Sequence, residues 1–130
     1  METDGEVLVV DDDPDIREVM EMVLCDSGYR VRTARHGADA VQLALSHRPA
    51  LVLLDMLMPV MDGWACAKAL RDRYGPSLPI VVMTAAEHAG KRGLEVGAQS
   101  VLAKPFDVDE LLAVVRRYAT HDGSVRQTTP

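Results

Sequence analysis

Three short aliphatic runs, Val7–Val10, Leu51–Leu54 and Ile80–Met83, constrain the fold more than any other feature of this 130-residue chain. Each is four residues long and free of polar interruption. That suits a strand covered on both faces, since a helix needs ten or more residues. Between the runs lie stretches with the period of an amphipathic helix. After Val10, Asp13-Pro14 supplies a helix cap and a first-turn proline. Ile16, Val19, Met20, Val23 and Leu24 follow at helical spacing, up to a stop at Gly28. Ala38, Val41 and Leu45 mark a second helix that closes before Pro49. Gly63 opens a third, with Trp64, Ala67 and Leu70 along one side. A fourth is expected around Glu87–Val96, weakly encoded because Gly90 and Gly93 each cost about 1 kcal/mol against alanine. Asp107-Val-Asp-Glu110 has the form of a capping box for a fifth, with Val108, Leu111, Leu112 and Val115 as its apolar face.

Two further strands complete the pattern. Arg30–Ala34 alternates and reads as a half-exposed edge strand, and Ser100–Ala103 reads as the last strand. Five strands alternating with five helices define an α/β protein with a parallel sheet and helices on both faces. Right-handed crossovers and one edge-type strand favour the flavodoxin-like order 2-1-3-4-5. With only five aromatic residues in the chain, the core is aliphatic. Residues 1–119 form one domain. Residues 120–130 carry no apolar periodicity and read as a flexible tail or the start of a linker.

The net charge of −6 is unevenly placed. Residues 1–18 hold eight acids and a single base, Arg17, and the rest of the chain is close to neutral. An acidic balance argues against a domain that grips nucleic acid or anionic lipid by a basic face. No apolar run approaches the ~18 residues of a membrane span, and no secretory signal follows Met1. Cys25 and Cys66 are isolated and read as small reduced residues of a cytoplasmic protein, not as a disulfide or zinc framework. His36, His47, His88 and His121 have no partner spacing and read as surface residues, and the seven methionines as adaptable filler.

The chemical signal sits at the carboxyl ends of the strands. Asp11 and Asp12 come after the first, Asp55 ends the third, Thr84 ends the fourth and Lys104 ends the fifth. In a parallel sheet these ends share one edge, where ligands bind. Two carboxylates ~4 Å apart repel by about 4 kcal/mol at an effective dielectric near 20, so three together call for a cation or for raised pKa values. Oxygen ligands in that number suit Mg²⁺. A carboxylate is also a nucleophile towards phosphorus, and a hydroxyl and an ammonium would neutralise phosphoryl oxygens.

At this point the chain resembles a known family, the receiver domains of two-component response regulators. The matching pieces are Val7-Leu-Val-Val-Asp-Asp-Asp-Pro14, Leu53-Leu-Asp-Met-Leu-Met-Pro-Val-Met-Asp-Gly63, Val81-Val-Met-Thr-Ala85 and Lys104-Pro-Phe106. The resemblance implies that Asp55 is the phosphoacceptor, that Asp12 binds Mg²⁺ directly and Asp11 through water, and that the carbonyl of Leu57 is a further ligand. It implies that Lys104 binds a phosphoryl oxygen ahead of a cis Lys104-Pro105 bond, and that Thr84 moves to bond the phosphoryl group. The donor would be a phosphohistidine on a sensor kinase or phosphotransfer protein. The chain would then be a signalling switch and not a metabolic enzyme, acting on an output domain or protein, with a phosphorylation-dependent dimer among its possible forms. It would make no direct contact with nucleic acid or membrane.

Some positions depart from that pattern. Val101 stands where the family usually has an aromatic residue coupled to the threonine, so output is expected to run through Thr84 and its loop or to be weakened. Leu57 and Ala86 would border the path of a hydrolytic water without offering it polar help. Two other functions compete. A haloacid-dehalogenase-type hydrolase would use Asp11 as nucleophile and Asp13 as acid, which leaves Asp55 unexplained. A binding module would keep the fold without being phosphorylated.

Overall fold

In the computed structural model, which describes residues 6–56, 63–85 and 97–119, each aliphatic run is a strand. The strands are β1 (Glu6–Val10), β2 (Arg30–Ala34), β3 (Leu51–Asp55), β4 (Ile80–Ala85) and β5 (Ser100–Lys104). The described helices are α1 (Pro14–Asp26), α2 (Gly37–Ser46), α3 (Gly63–Tyr74) and α4 (Val108–Tyr118), with a 3-10 turn at Gly75–Ser77. The helix expected at Glu87–Val96 lies outside the described residues, as does the tail 120–130.

All strand pairs are parallel, in the order β2-β1-β3-β4-β5. The alternating strand is at the edge, as expected. Successive side chains of a strand leave on opposite faces, and here helices cover both. Leu8, Val10, Val52, Leu54, Ile80 and Val82 pack against Ala40 and Ala44 of α2 and Cys66, Ala67 and Leu70 of α3. Val7, Val9, Leu51, Leu53, Val81 and Met83 pack against Met20 and Leu24 of α1 and Leu111 and Val115 of α4. This double burial is why the central runs contain no polar residue.

The helix ends follow the sequence cues. Asp13 caps α1 by accepting from the N–H of Asp15 (2.9 Å) and Ile16 (3.4 Å). Gly28 follows the end of α1 at φ +96°, a left-handed conformation that suits glycine. Asp107 and Glu110 form the expected capping box of α4. Three readings need correction. The buried stripe of α2 is Gly37, Ala40 and Ala44; Ala38 and half-exposed Leu45 lie off it. Val108 is 48% exposed, because the first helical residue lies beyond the sheet. His36 is no idle surface residue: its Nδ1 accepts from the N–H of Asp39 (3.2 Å) and caps α2.

A polar knot at the opposite end from the acids fixes where β5 begins. The Arg71 guanidinium donates to the carbonyls of Gly75, Leu78 and Gly97 and to Oε1 of Gln99. The same Gln99 oxygen accepts from the N–H of Ile80 (2.8 Å). This ties the entry of β5 to that of β4 and so sets the register that delivers Lys104.

Candidate functional site

β1 and β3 end side by side, with Val10 opposite Leu54, so the residues beyond them project from one edge. Asp55 pairs across with Met83, and Thr84 is the next residue along β4. Lys104 lies opposite Ala85. One sheet edge thus collects the carboxylates, the hydroxyl and the ammonium singled out in the sequence. Leu57 lies outside the described residues.

One carboxylate oxygen from each of Asp11, Asp12 and Asp55 lies within 4.8 Å of the others. Asp11 is 1% exposed, Asp55 6% and Thr84 4%, while Asp12 is exposed. Asp11 is held at every polar atom. Its N–H donates to the carbonyl of Ala34 (3.1 Å), and its own carbonyl accepts from Nη1 of Arg17 (2.7 Å). Its Oδ1 accepts from the N–H of Asp13 (3.0 Å) and its Oδ2 from Nζ of Lys104 (3.0 Å). Asp12 makes no hydrogen bond or ion pair among the described residues.

Lys104 is the internal counter-ion. Its Nζ is 3.0 Å from Oδ2 of Asp11 and 3.6 Å from Oδ1 of Asp55. Burial alone would lower its pKa. The hydrogen bond and charge of Asp11, joined by those of Asp55, outweigh burial and hold the ammonium above the usual lysine range. The Lys104-Pro105 peptide bond is cis, as the resemblance implies.

Among the described residues, one lysine against three carboxylates leaves excess negative charge. A divalent cation is the natural complement of such a donor set, because hard oxygen ligands in this number match Mg²⁺. The residues present therefore fit the metal implied by the sequence.

Gly63 brings α3 up against this edge. A Cβ there would lie 2.6 Å from Cα of Met56 and 2.9 Å from the carbonyl oxygen of Asp55. Only glycine permits that approach, so it supports the backbone behind Asp55.

Two features escaped the sequence reading. Arg17 registered only as a base among acids, yet it bonds the backbone of the acid loop. The clue was its position near the amino end of a helix, where cations are disfavoured. The second is an apolar groove lined by Ile16, Val19, Met20, Pro105 and Phe106, together with Asp15 and Lys104. Val19 is 53% exposed there. The clue was that α1 carries more apolar residues than one buried face needs.

The response regulator receiver domain family matches residues 7–116. The chain belongs to that family. Receiver domains are signalling switches of two-component systems. The response regulator MprA of Mycolicibacterium vanbaalenii is 42% identical over 126 residues, 95% of this chain and 52% of its own length. The DNA-binding transcriptional regulator NtrC of Proteus hauseri is 40% identical over 119 residues, 90% of this chain and 25% of its own. The chain therefore spans about half the length of the first relative and a quarter of the second. Among solved structures, the chemotaxis protein CheY4 of Vibrio cholerae superposes with a TM-score of 0.81 at 35% identity, covering 89% of this chain and 99% of CheY4. The receiver domain of NtrX from Brucella abortus gives 0.79 at 32% identity, covering 87% and 97%. No helix among the described residues is long and apolar enough to cross a membrane.

Proposed function

We propose that this receiver domain accepts a phosphoryl group on Asp55 from a phosphohistidine of a sensor kinase or histidine phosphotransfer protein. The observation that carries the reading is the placement of Asp55. It ends a wholly buried strand, with the ammonium of Lys104 3.6 Å from its carboxylate and two further carboxylates within reach of a shared cation.

In the transfer, a carboxylate oxygen of Asp55 forms a bond to phosphorus as the phosphorus–nitrogen bond of the donor breaks. The electron pair returns to the donor imidazole, and the product is an acyl phosphate. Lys104 binds a phosphoryl oxygen, which draws its ammonium from Asp11. Thr84 donates its hydroxyl to another. Asp12, Asp55 and the carbonyl of Leu57, with Asp11 through water, would hold Mg²⁺, which would supply neutralising charge to the phosphoryl oxygens. Burial of Asp11, Asp55 and Thr84 keeps these interactions strong by excluding water.

The donor reaches Asp55 across the apolar groove, since the groove and the acid pocket share Lys104. Transfer takes place in the cytoplasm. The output acts through a further domain or a separate protein, as the greater length of the relatives suggests. With Val101 half-buried on β5 in place of an aromatic ring, the change at Thr84 passes to its own loop.

Acetyl phosphate and Mg²⁺ test the chemistry directly. Intact-mass measurement should show one added phosphoryl group, labile to hydroxylamine, on the unaltered chain and none on Asp55→Asn. Undiminished labelling of Asp55→Asn with loss in Asp11→Asn would move the acceptor to Asp11 and favour the hydrolase reading. Failure of the unaltered chain to label or to bind Mg²⁺ would favour the binding module.

A further inference from the structure

The acid-rich start of the chain contains one base, and it stands where helix electrostatics disfavour it. The amino end of a helix carries partial positive charge and prefers acids. Helix α1 follows this with Asp15 in its first turn, yet Arg17 comes two residues later. Its guanidinium meets no carboxylate within ion-pair distance among the described residues. It donates instead to the carbonyl of Asp11 at 2.7 Å, half-buried.

That carbonyl belongs to the peptide plane joining Asp11 to Asp12. The two acids differ in how they are held. The carboxylate of Asp11 is fixed by the Asp13 N–H and by Lys104. The side chain of Asp12 has no partner among the described residues, so its direction follows from its backbone. On one side that backbone is anchored by the Arg17 bond. On the other it runs into Asp13, pinned as the α1 cap.

We propose that Arg17 is a positioning residue for the divalent-cation site: by holding the Asp11–Asp12 peptide plane it sets where the Asp12 carboxylate points. The inference rests on the metal reading above. A charge-assisted hydrogen bond from a planar guanidinium is short and directional, which suits it to fix a peptide plane. The base near the helix start is then the compensated exception to a local rule.

Charge and positioning predict opposite signs. Removing a cation beside three carboxylates should tighten Mg²⁺ binding if charge alone matters. It should weaken binding if Arg17 orients a ligand. The experiment is calorimetric titration of Mg²⁺ into the unaltered chain, Arg17→Ala and Arg17→Lys at one ionic strength. Each variant is first melted without metal to show that it folds. Arg17→Met keeps the aliphatic stem packed and replaces Arg17→Ala if that variant does not fold.

Arg17→Ala should weaken Mg²⁺ affinity by about tenfold, the lower end of the effect of losing a group that orients a metal ligand. Arg17→Lys keeps charge and donor and should recover part of the loss. Binding by Arg17→Ala as tight as by the unaltered chain, or tighter, overturns the role. So does Arg17→Lys binding as weakly as Arg17→Ala. Absence of any Mg²⁺ heat from the unaltered chain overturns the metal reading itself, and this role with it.

Discussion

The two cysteines show how far a residue's chemistry is set by its place. Cys25 on α1 is exposed, and Cys66 on α3 is buried against the sheet. Burial pushes the Cys66 thiol up to about 12 from the usual 9.0. Thiolates, not thiols, attack disulfides, so burial makes Cys66 unreactive. At pH 8, a disulfide reagent should titrate one thiol in the native chain and the second only after unfolding. Mass mapping should place the first on Cys25. Rapid native labelling at Cys66 would contradict its burial. The pH dependence has a definite sign. Between pH 9 and 12 the unfolded chain sheds the Cys66 proton while the native chain keeps it. Native stability should therefore fall with rising pH in that window, by at most about 1.4 kcal/mol per pH unit from this group. Cys66→Ala should lack this part of the alkaline loss in urea melts.

At the scale of elements, hydrophobic pattern identified the strands and α1, and the structure corrected α2. Its apolar stripe looked like Ala38, Val41 and Leu45; Val41 does pack against the core, while Ala38 and Leu45 are exposed. The structure buries Gly37, Ala40 and Ala44, with Tyr74 of α3 donating its hydroxyl to the carbonyl of Ala44. Ala40 and Ala44 lie in the core between the sheet and α3, a place small side chains fill. The acids, Thr84 and Lys104 were legible because each lies within two residues of a strand's carboxyl end, although β4 runs one residue past Thr84 to Ala85. Arg17 and the groove were not, since a bond to a backbone carbonyl and a surface left uncovered have no spacing motif. The groove supports a prediction of its own. Val19→Asn keeps a helical residue at a half-exposed site, so the fold should survive. Burial of a valine against a partner contributes about 1.5–3 kcal/mol. Phosphotransfer from the cognate kinase at limiting concentration should then slow by about tenfold or more. Labelling by acetyl phosphate, which needs no docking face, should be unchanged. Equal loss with both donors would place the effect in the acid pocket instead.

For the whole molecule, the proposed cation site would couple folding to a cation. The sheet forces Asp11, Asp12 and Asp55 together, and Lys104 compensates only part of their charge. Folding therefore gathers mutual repulsion that the extended chain avoids, and a cation bound only by the native state offsets it. Such linkage is worth about 2.7 kcal/mol when the free ligand is at a hundred times its dissociation constant. That corresponds to a rise of several degrees in melting temperature for a domain of this size. Asp12→Asn separates the two contributions. Asp12 is exposed and has no partner among the described residues, so its carboxylate supports no packing. In metal-free buffer Asp12→Asn should melt at or above the temperature of the unaltered chain, because one repelling charge is gone. With saturating Mg²⁺ the order should reverse, because the unaltered chain gains its several degrees and the variant gains little. Calorimetric scans of both proteins, with EDTA and then with Mg²⁺, read both signs in one experiment. Parallel shifts in the two proteins would mean that the cation acts elsewhere than at this sheet edge.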